Sequence, residues 1–132
     1  MRKLITHALA MVRSCGPDVP PLQNPGVQLG LAMGLAGLEG RDKVTIFASP
    51  KIADFGAWAE QLIAESTGKE GKGLIPIEGE PPADPASYGQ DRFFIDIKVD
   101  GDDMSGHDAK LAALEEAGHP VVRIVMTSID QL

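Results

Sequence analysis

The chain has 132 residues and a mass of 14.0 kDa, enough for one domain or part of one. Hydrophobic residues at 43% against charged residues at 23% exclude general disorder, and aromatics at 5% require an aliphatic, alanine-rich core. Twelve Lys and Arg against nineteen Asp and Glu leave a formal charge of -7, which argues against nucleic-acid binding and an anionic membrane surface. The single cysteine, Cys15, excludes an internal disulfide and any multi-cysteine metal site, and fits a cytoplasmic, reducing compartment.

The chain opens with Arg2 and Lys3 before the apolar run Leu4 to Val12, an imitation of a lipoprotein signal ending at Cys15. Arg13 stands where such a signal wants a small neutral residue, and His7 interrupts the run. Leu4, Ala8, Met11, Val12 and Cys15 follow helical spacing instead, so a helix is expected from Arg2 to Ser14, stopped by Gly16-Pro17. Asn24 caps and Pro25 opens a second helix. Along it Gly26, Gly30, Gly34 and Gly37 share one ridge, at a cost of about 0.8–1 kcal/mol each against alanine. Close packing against a neighbouring backbone is the expected compensation. The apolar stretch from Val27 to Leu38 is too short to cross a bilayer.

Residues 1–40 thus form a helical lead-in, and residues 41–132 a core of alternating strands and helices. Val44 to Ala48 reads as a buried strand, Asp54 to Ser66 as a helix with Gly68 at its carboxyl end, and Leu74 to Ile77 as a short strand whose Pro76 marks an edge or a strand end. Glu78 to Asp91, with its prolines, is a loop. Arg92 to Val99 is a strand, His107 to Ala117 a helix closed by Gly118, and Val121 to Met126 the last strand. The alternation predicts an α/β fold, a three-layer sandwich around a mainly parallel sheet.

The helix over residues 54–66 carries the candidate chemistry. Phe55, Trp58, Ala59, Leu62 and Ile63 are expected as its buried stripe, with Gln61 and Glu65 one turn apart along the border. At that border, and in the last turn where the helix dipole opposes an anion, the charged form of Glu65 is disfavoured. A general base working near neutrality needs that bias. The same residues also fit a solvated helix-end glutamate. Ser66, Thr67, Lys69 and Lys72 imitate a phosphate loop, but the P-loop register and its place between strand and helix are missing. A looser role, lining a sugar-phosphate pocket, stays open for them. His7, His107 and His119 lack ligand spacing, so no metal is expected, and His107 and His119 read as ordinary loop-edge residues. Asp100, Asp102, Asp103 and Asp108 read as helix capping, and Cys15 as packing.

The run Gln61-Leu62-Ile63-Ala64-Glu65-Ser66-Thr67-Gly68-Lys69 resembles the glutamate signature of glucose-6-phosphate isomerases. The likeness extends from Asn24-Pro25-Gly26 through Gly40-Arg41-Asp42-Lys43 and Gly71-Lys72-Gly73 to Leu111 through Pro120, nearly the whole chain. It is nearest to the isomerase half of bacterial transaldolase/glucose-6-phosphate isomerase fusions. The resemblance implies a sugar-isomerase (SIS-type) domain, incomplete, spanning 1–132. It implies that Glu65 is the base moving a proton between C2 and C1 of an open-chain sugar phosphate through a cis-enediol. Gln61 would contact the substrate. No cofactor or metal is implied, and the assembly would be a homo-oligomer.

Thr67 replaces the family's commoner asparagine, as suits the fusion branch. The family's Ser/Thr-rich phosphate loop, its Gly-Gly-Arg segment, the histidine from a partner subunit and the carboxyl-terminal lysine have no match here. The expectation is therefore a fragment with a base but no phosphate clamp, inactive alone. The rival is a sugar-phosphate-binding regulatory domain that kept the fold without the reaction.

Overall fold

A computed structural model of the chain describes residues 2–132, the side chain of Ser105 excepted. Four strands form one sheet: β1 (Lys43–Ala48), β2 (Ile75–Ile77), β3 (Arg92–Val99) and β4 (Val121–Met126). They lie in the order β2-β1-β3-β4 and every pair is parallel. The helices are α1 (Arg2–Ser14), α2 (Pro25–Leu38), α3 (Ala53–Thr67) and α4 (Ser105–Glu116).

The period of two along each strand divides the core between the two faces. Val44 and Ile46 join Phe93, Ile95, Ile97 and Val99 on one face, covered by Ala36 of α2 and Ala59 of α3. Phe47 and Phe94 project to the other, where Leu111 and Leu114 of α4 and Tyr88 cover them. Helices on both faces of a parallel sheet make the three-layer α/β arrangement that the alternation predicts. The chain leaves β1 through α3 to reach β2 on one side, and leaves β3 through α4 to reach β4 on the other. The connections diverge between β1 and β3, a topological switch point.

Local chemistry fixes the element ends. Asn24 accepts a hydrogen bond from the Val27 amide (3.1 Å), with Pro25 at the first helical position. Helices α2 and α4 both end in a Schellman turn. The Gly40 and Arg41 amides donate to the carbonyls of Gly37 and Ala36, and those of Gly118 and His119 to Glu115 and Leu114. Gly40 and Gly118 take φ of 84° and 86°, the left-handed geometry that this turn requires at its glycine. Pro76 lies in the edge strand β2, paired in register with Val44, as its missing N–H demands.

Two expectations, one for α2 and one for α4, need correction. The glycine ridge of α2 is not packed along its length: nothing lies within 4 Å of a Cβ built at Gly30 or Gly34. Only the ends are approached, Gly26 by Cys15 and Gly37 by Leu74. Leu31, Leu35 and Leu38 of α2 are exposed, and α1 has no buried residue at all. Helix α4 starts at Ser105 behind Met104, without a side-chain cap. Two of the nearby aspartates serve ion pairs: Asp102 with Lys51, and Asp108 with Lys98 at 2.8 Å.

Those pairs make folding pH-dependent. Lys51, aided by Ser49, holds the Asp102 carboxyl below its ordinary value, Lys98 does so for Asp108, and Arg123 for Glu115. A depressed folded-state pKa gives stability that is present above the unfolded value, about pH 4, and lost as pH falls through the folded one. Thermal unfolding followed by circular dichroism should therefore show Tm falling below about pH 4. Lys51→Met should lessen that fall; an acid limb identical to wild type would contradict the assignment to Asp102.

Candidate functional site

Helix α3 meets the sheet through Gly56 and Ala59, with Phe55 and Ile63 partly buried beside them. Glycine at 56 permits close approach, since a Cβ there would stand 3.2 Å from the Glu78 carboxylate. The buried stripe is thus narrower than its hydrophobicity suggests. Trp58 and Leu62 belong to the outer face, 58% and 48% exposed, which corrects the reading of both as core. Glu65 lies on the same outer face and is exposed, so it does not border the core.

The structure does bring Gln61 and Glu65 together. Gln61 Nε2 donates to Glu65 Oε1 at 3.3 Å, and with Trp58 and Leu62 they line an open depression of about 210 Å³. Phe55 supports the indole, with ring centroids 5.3 Å apart. An exposed tryptophan and leucine flank an oriented carboxylate and amide. This surface combines an apolar platform with one acid–base group and one orienting group, all on two successive turns of α3.

The segment after Glu65 ties down the last turn of α3. The Gly68 amide donates to the Ala64 carbonyl, and a Cβ on Gly68 would come within 2.6 Å of that oxygen, so no other residue fits. Lys69 Nζ donates to the Glu65 and Ser66 carbonyls at 3.2 and 3.1 Å, placing a cation where the helix dipole is negative. Thr67 Oγ1 donates to the Ile63 carbonyl (2.8 Å) and accepts from the Leu74 amide (3.0 Å). Glu70 and Gly71, both at positive φ, close a two-residue hairpin between Lys69 and Lys72. Thr67 and Lys69 are therefore engaged in the helix end rather than turned to a phosphate. Lys72 instead lines a neighbouring groove of about 490 Å³ that also holds Asp42 and Glu60.

Reading the sequence missed one constellation. His107 lies inside the first turn of α4 rather than at a loop edge, and His119 stands in the loop before β4 but is buried there. His119 is 5% exposed, edge-on to Tyr88 and Phe94. His107 Nε2 lies 2.8 Å from Asp96 Oδ1, with the side chains 13% and 3% exposed. The signal was Asp96 itself, a lone carboxylate inside Phe93-Phe94-Ile95-Asp96-Ile97. A carboxylate at such a position needs a buried partner. Among the described residues no cluster of three or more His, Cys, Asp and Glu could hold a metal ion, and no helix is long and apolar enough to cross a membrane.

No known family profile matches the chain. Over 71 residues, 52% of the chain, it is 38% identical to the glucose-6-phosphate isomerase of Mycoplasmopsis synoviae (strain 53), of which it covers 16%. Among solved structures, a hypothetical protein of Thermus thermophilus superposes with a TM-score of 0.73 at 15% identity. The match covers 98% of this chain and 40% of that one, and at this identity it speaks to fold alone. The chain spans well under half the length of both.

Proposed function

From the identity shared with a glucose-6-phosphate isomerase, we propose that this chain is the glutamate-bearing segment of such an enzyme, a partial sugar-isomerase domain over residues 1–132. Glu65 is the base that carries a proton between C2 and C1 of the open-chain sugar phosphate. Gln61 holds Glu65 and contacts the substrate. The observation that carries this reading is the Gln61–Glu65 pair, oriented on an outer helix face beside Trp58 and Leu62.

That face forms only one wall. A base in an open depression lacks the enclosure and the phosphate anchor that orient a substrate, and orientation can supply about 7–11 kcal/mol of the barrier reduction. The opposite wall comes from other parts of the polypeptide or from another subunit of a homo-oligomer, and a transaldolase domain fits the same resemblance. The exposed apolar residues of α1 and α2 suit burial in that larger assembly.

The purified 132-residue chain should fold but not turn over fructose 6-phosphate in a coupled assay. The complete polypeptide should interconvert it with glucose 6-phosphate. A complete polypeptide that binds the sugar phosphate without turnover would favour a regulatory domain and overturn the enzyme reading.

A further inference from the structure

A strand at the border of a sheet offers a row of unpaired peptide groups, and the two borders of this sheet treat that hazard differently. At one border β2 has three residues, and Pro76 removes a donor from its outer side. At the other, β4 has six residues, among them Val121, Val122, Ile124 and Val125, and no proline. Its register with β3 fixes which groups are free. The Phe94 amide donates to the Pro120 carbonyl (3.0 Å) and the Asp100 amide to the Met126 carbonyl (2.7 Å). By the period of two, Val122 and Ile124 also turn their peptide groups toward β3, while Val121, Arg123 and Val125 turn theirs outward. Among the described residues no backbone group takes up that outer row. The one charge on the strand, Arg123, is compensated by Glu115 of α4 through hydrogen bonds of 3.0 and 2.9 Å, so it does little to keep another strand away.

Helix α2 continues this surface on one face of the sheet. Its Gly37 side meets Leu74, next to β2, whereas Leu35 shares a groove of about 530 Å³ with Phe93 and with Pro120 at the start of β4. The helix therefore turns Leu35, and Leu31 one turn away on the same ridge, past the open edge. Leu31, Leu35 and Val125 are 54%, 57% and 66% exposed.

A second copy of the chain matches both parts at once. A twofold axis normal to the sheet preserves its faces, so one operation sets β4 antiparallel to β4 and α2 beside α2. Centred on Ile124, it puts Arg123 opposite Val125 of the second copy and keeps the two guanidinium groups from opposing each other. A six-residue strand is about 20 Å long, and sheet and helix layers about 10 Å deep each give a patch of roughly 400 Å². Stable interfaces bury about 800 Å² per partner, so the contact suits a weak dimer. The short, proline-bearing β2 edge stops growth at two copies. Glu65 lies on α3, which packs over β1 and β2, so this interface does not depend on the isomerase reading.

We propose that two copies of this chain join through the outer edge of β4 and the Leu31–Leu35 ridge of α2, forming a closed dimer with one continuous sheet. Sedimentation velocity of the 132-residue chain should show a monomer–dimer equilibrium with Kd on the order of 100 µM and no larger species. Amide hydrogen exchange followed by NMR reads the pairing directly. The Val121, Arg123 and Val125 amides should gain protection as concentration rises, while those of Val122 and Ile124 are protected throughout. Val125→Pro removes an outward donor and leaves the ladder to β3 intact, and Leu35→Lys puts a charge into the helix contact. Each should weaken the dimer by at least about tenfold with an unchanged circular dichroism spectrum. Leu9→Lys, on the exposed face of α1, should leave it as it is. Where Val125→Pro does not fold, Leu35→Lys and the exchange pattern decide. A monomer at every concentration up to about 1 mM, growth beyond two copies, a dimer that survives Leu35→Lys or is lost with Leu9→Lys, or outer amides without added protection would each overturn the proposal.

Discussion

On the proposed isomerase reading, Glu65→Gln in the complete polypeptide should lower kcat by about 10²–10⁴-fold, the usual worth of a positioned general base. The substitution keeps shape and hydrogen-bonding capacity, so the contact with Gln61 and the helix end persist. What disappears, on that reading, is the ability to accept the C2 proton. KM should move little, because the loss falls on the transition state rather than on substrate binding. Gln61→Ala should act differently, raising KM as well, since it frees the carboxylate and removes a substrate contact. Steady-state kinetics with fructose 6-phosphate separate the two patterns. A Glu65→Gln enzyme within a fewfold of wild type would show that another group takes the proton.

The largest stability effect is expected at Phe94. It is fully buried, stacked on Phe47 at 5.9 Å and edge-on to Tyr88 at 4.9 Å and to His119 at 5.5 Å. In a chain with 4 Phe, 1 Tyr and 1 Trp, three of the six aromatics meet at this point. Phe94→Ala removes the centre of the smaller core under α4 and should cost about 3–5 kcal/mol. Against a typical total of about 5–15 kcal/mol, that leaves a marginal domain. Urea unfolding followed by far-UV circular dichroism gives the number. A loss below about 1.5 kcal/mol would mean that this side of the sheet collapses around the vacancy instead of retaining a cavity.

The parallel sheet was legible because its signals are local: short β-branched runs separated by helical periods, with Gly40 and Gly118 marking where helices end. Pro76 pointed to an edge or a strand end for the same reason, a missing donor, and β2 is at the edge. The outer face of α3 was not legible. Hydrophobicity placed Trp58 and Leu62 inside, yet Gly56 and Ala59 make the contact because small residues let the helix sit close to the sheet. A stripe defined by small residues is invisible to a count of large ones. The α2 glycines misled in the opposite way, since Gly30 and Gly34 face open space. The Gln61–Glu65 pair followed from its spacing of four. His107 and Asp96 are eleven positions apart, on a helix and a strand, and only the fold brings them together.

The central claim is that Glu65 moves a proton between adjacent carbons. It is tested most directly with glucose 6-phosphate deuterated at C2 and the complete polypeptide in ordinary water. Wild type should deliver part of the label to C1 of fructose 6-phosphate and lose part to solvent, as a single base shuttling one proton does. Glu65→Gln should abolish both transfer and washout while the protein still binds the sugar phosphate. Label transfer in the Glu65→Gln enzyme at the wild-type rate would contradict the account.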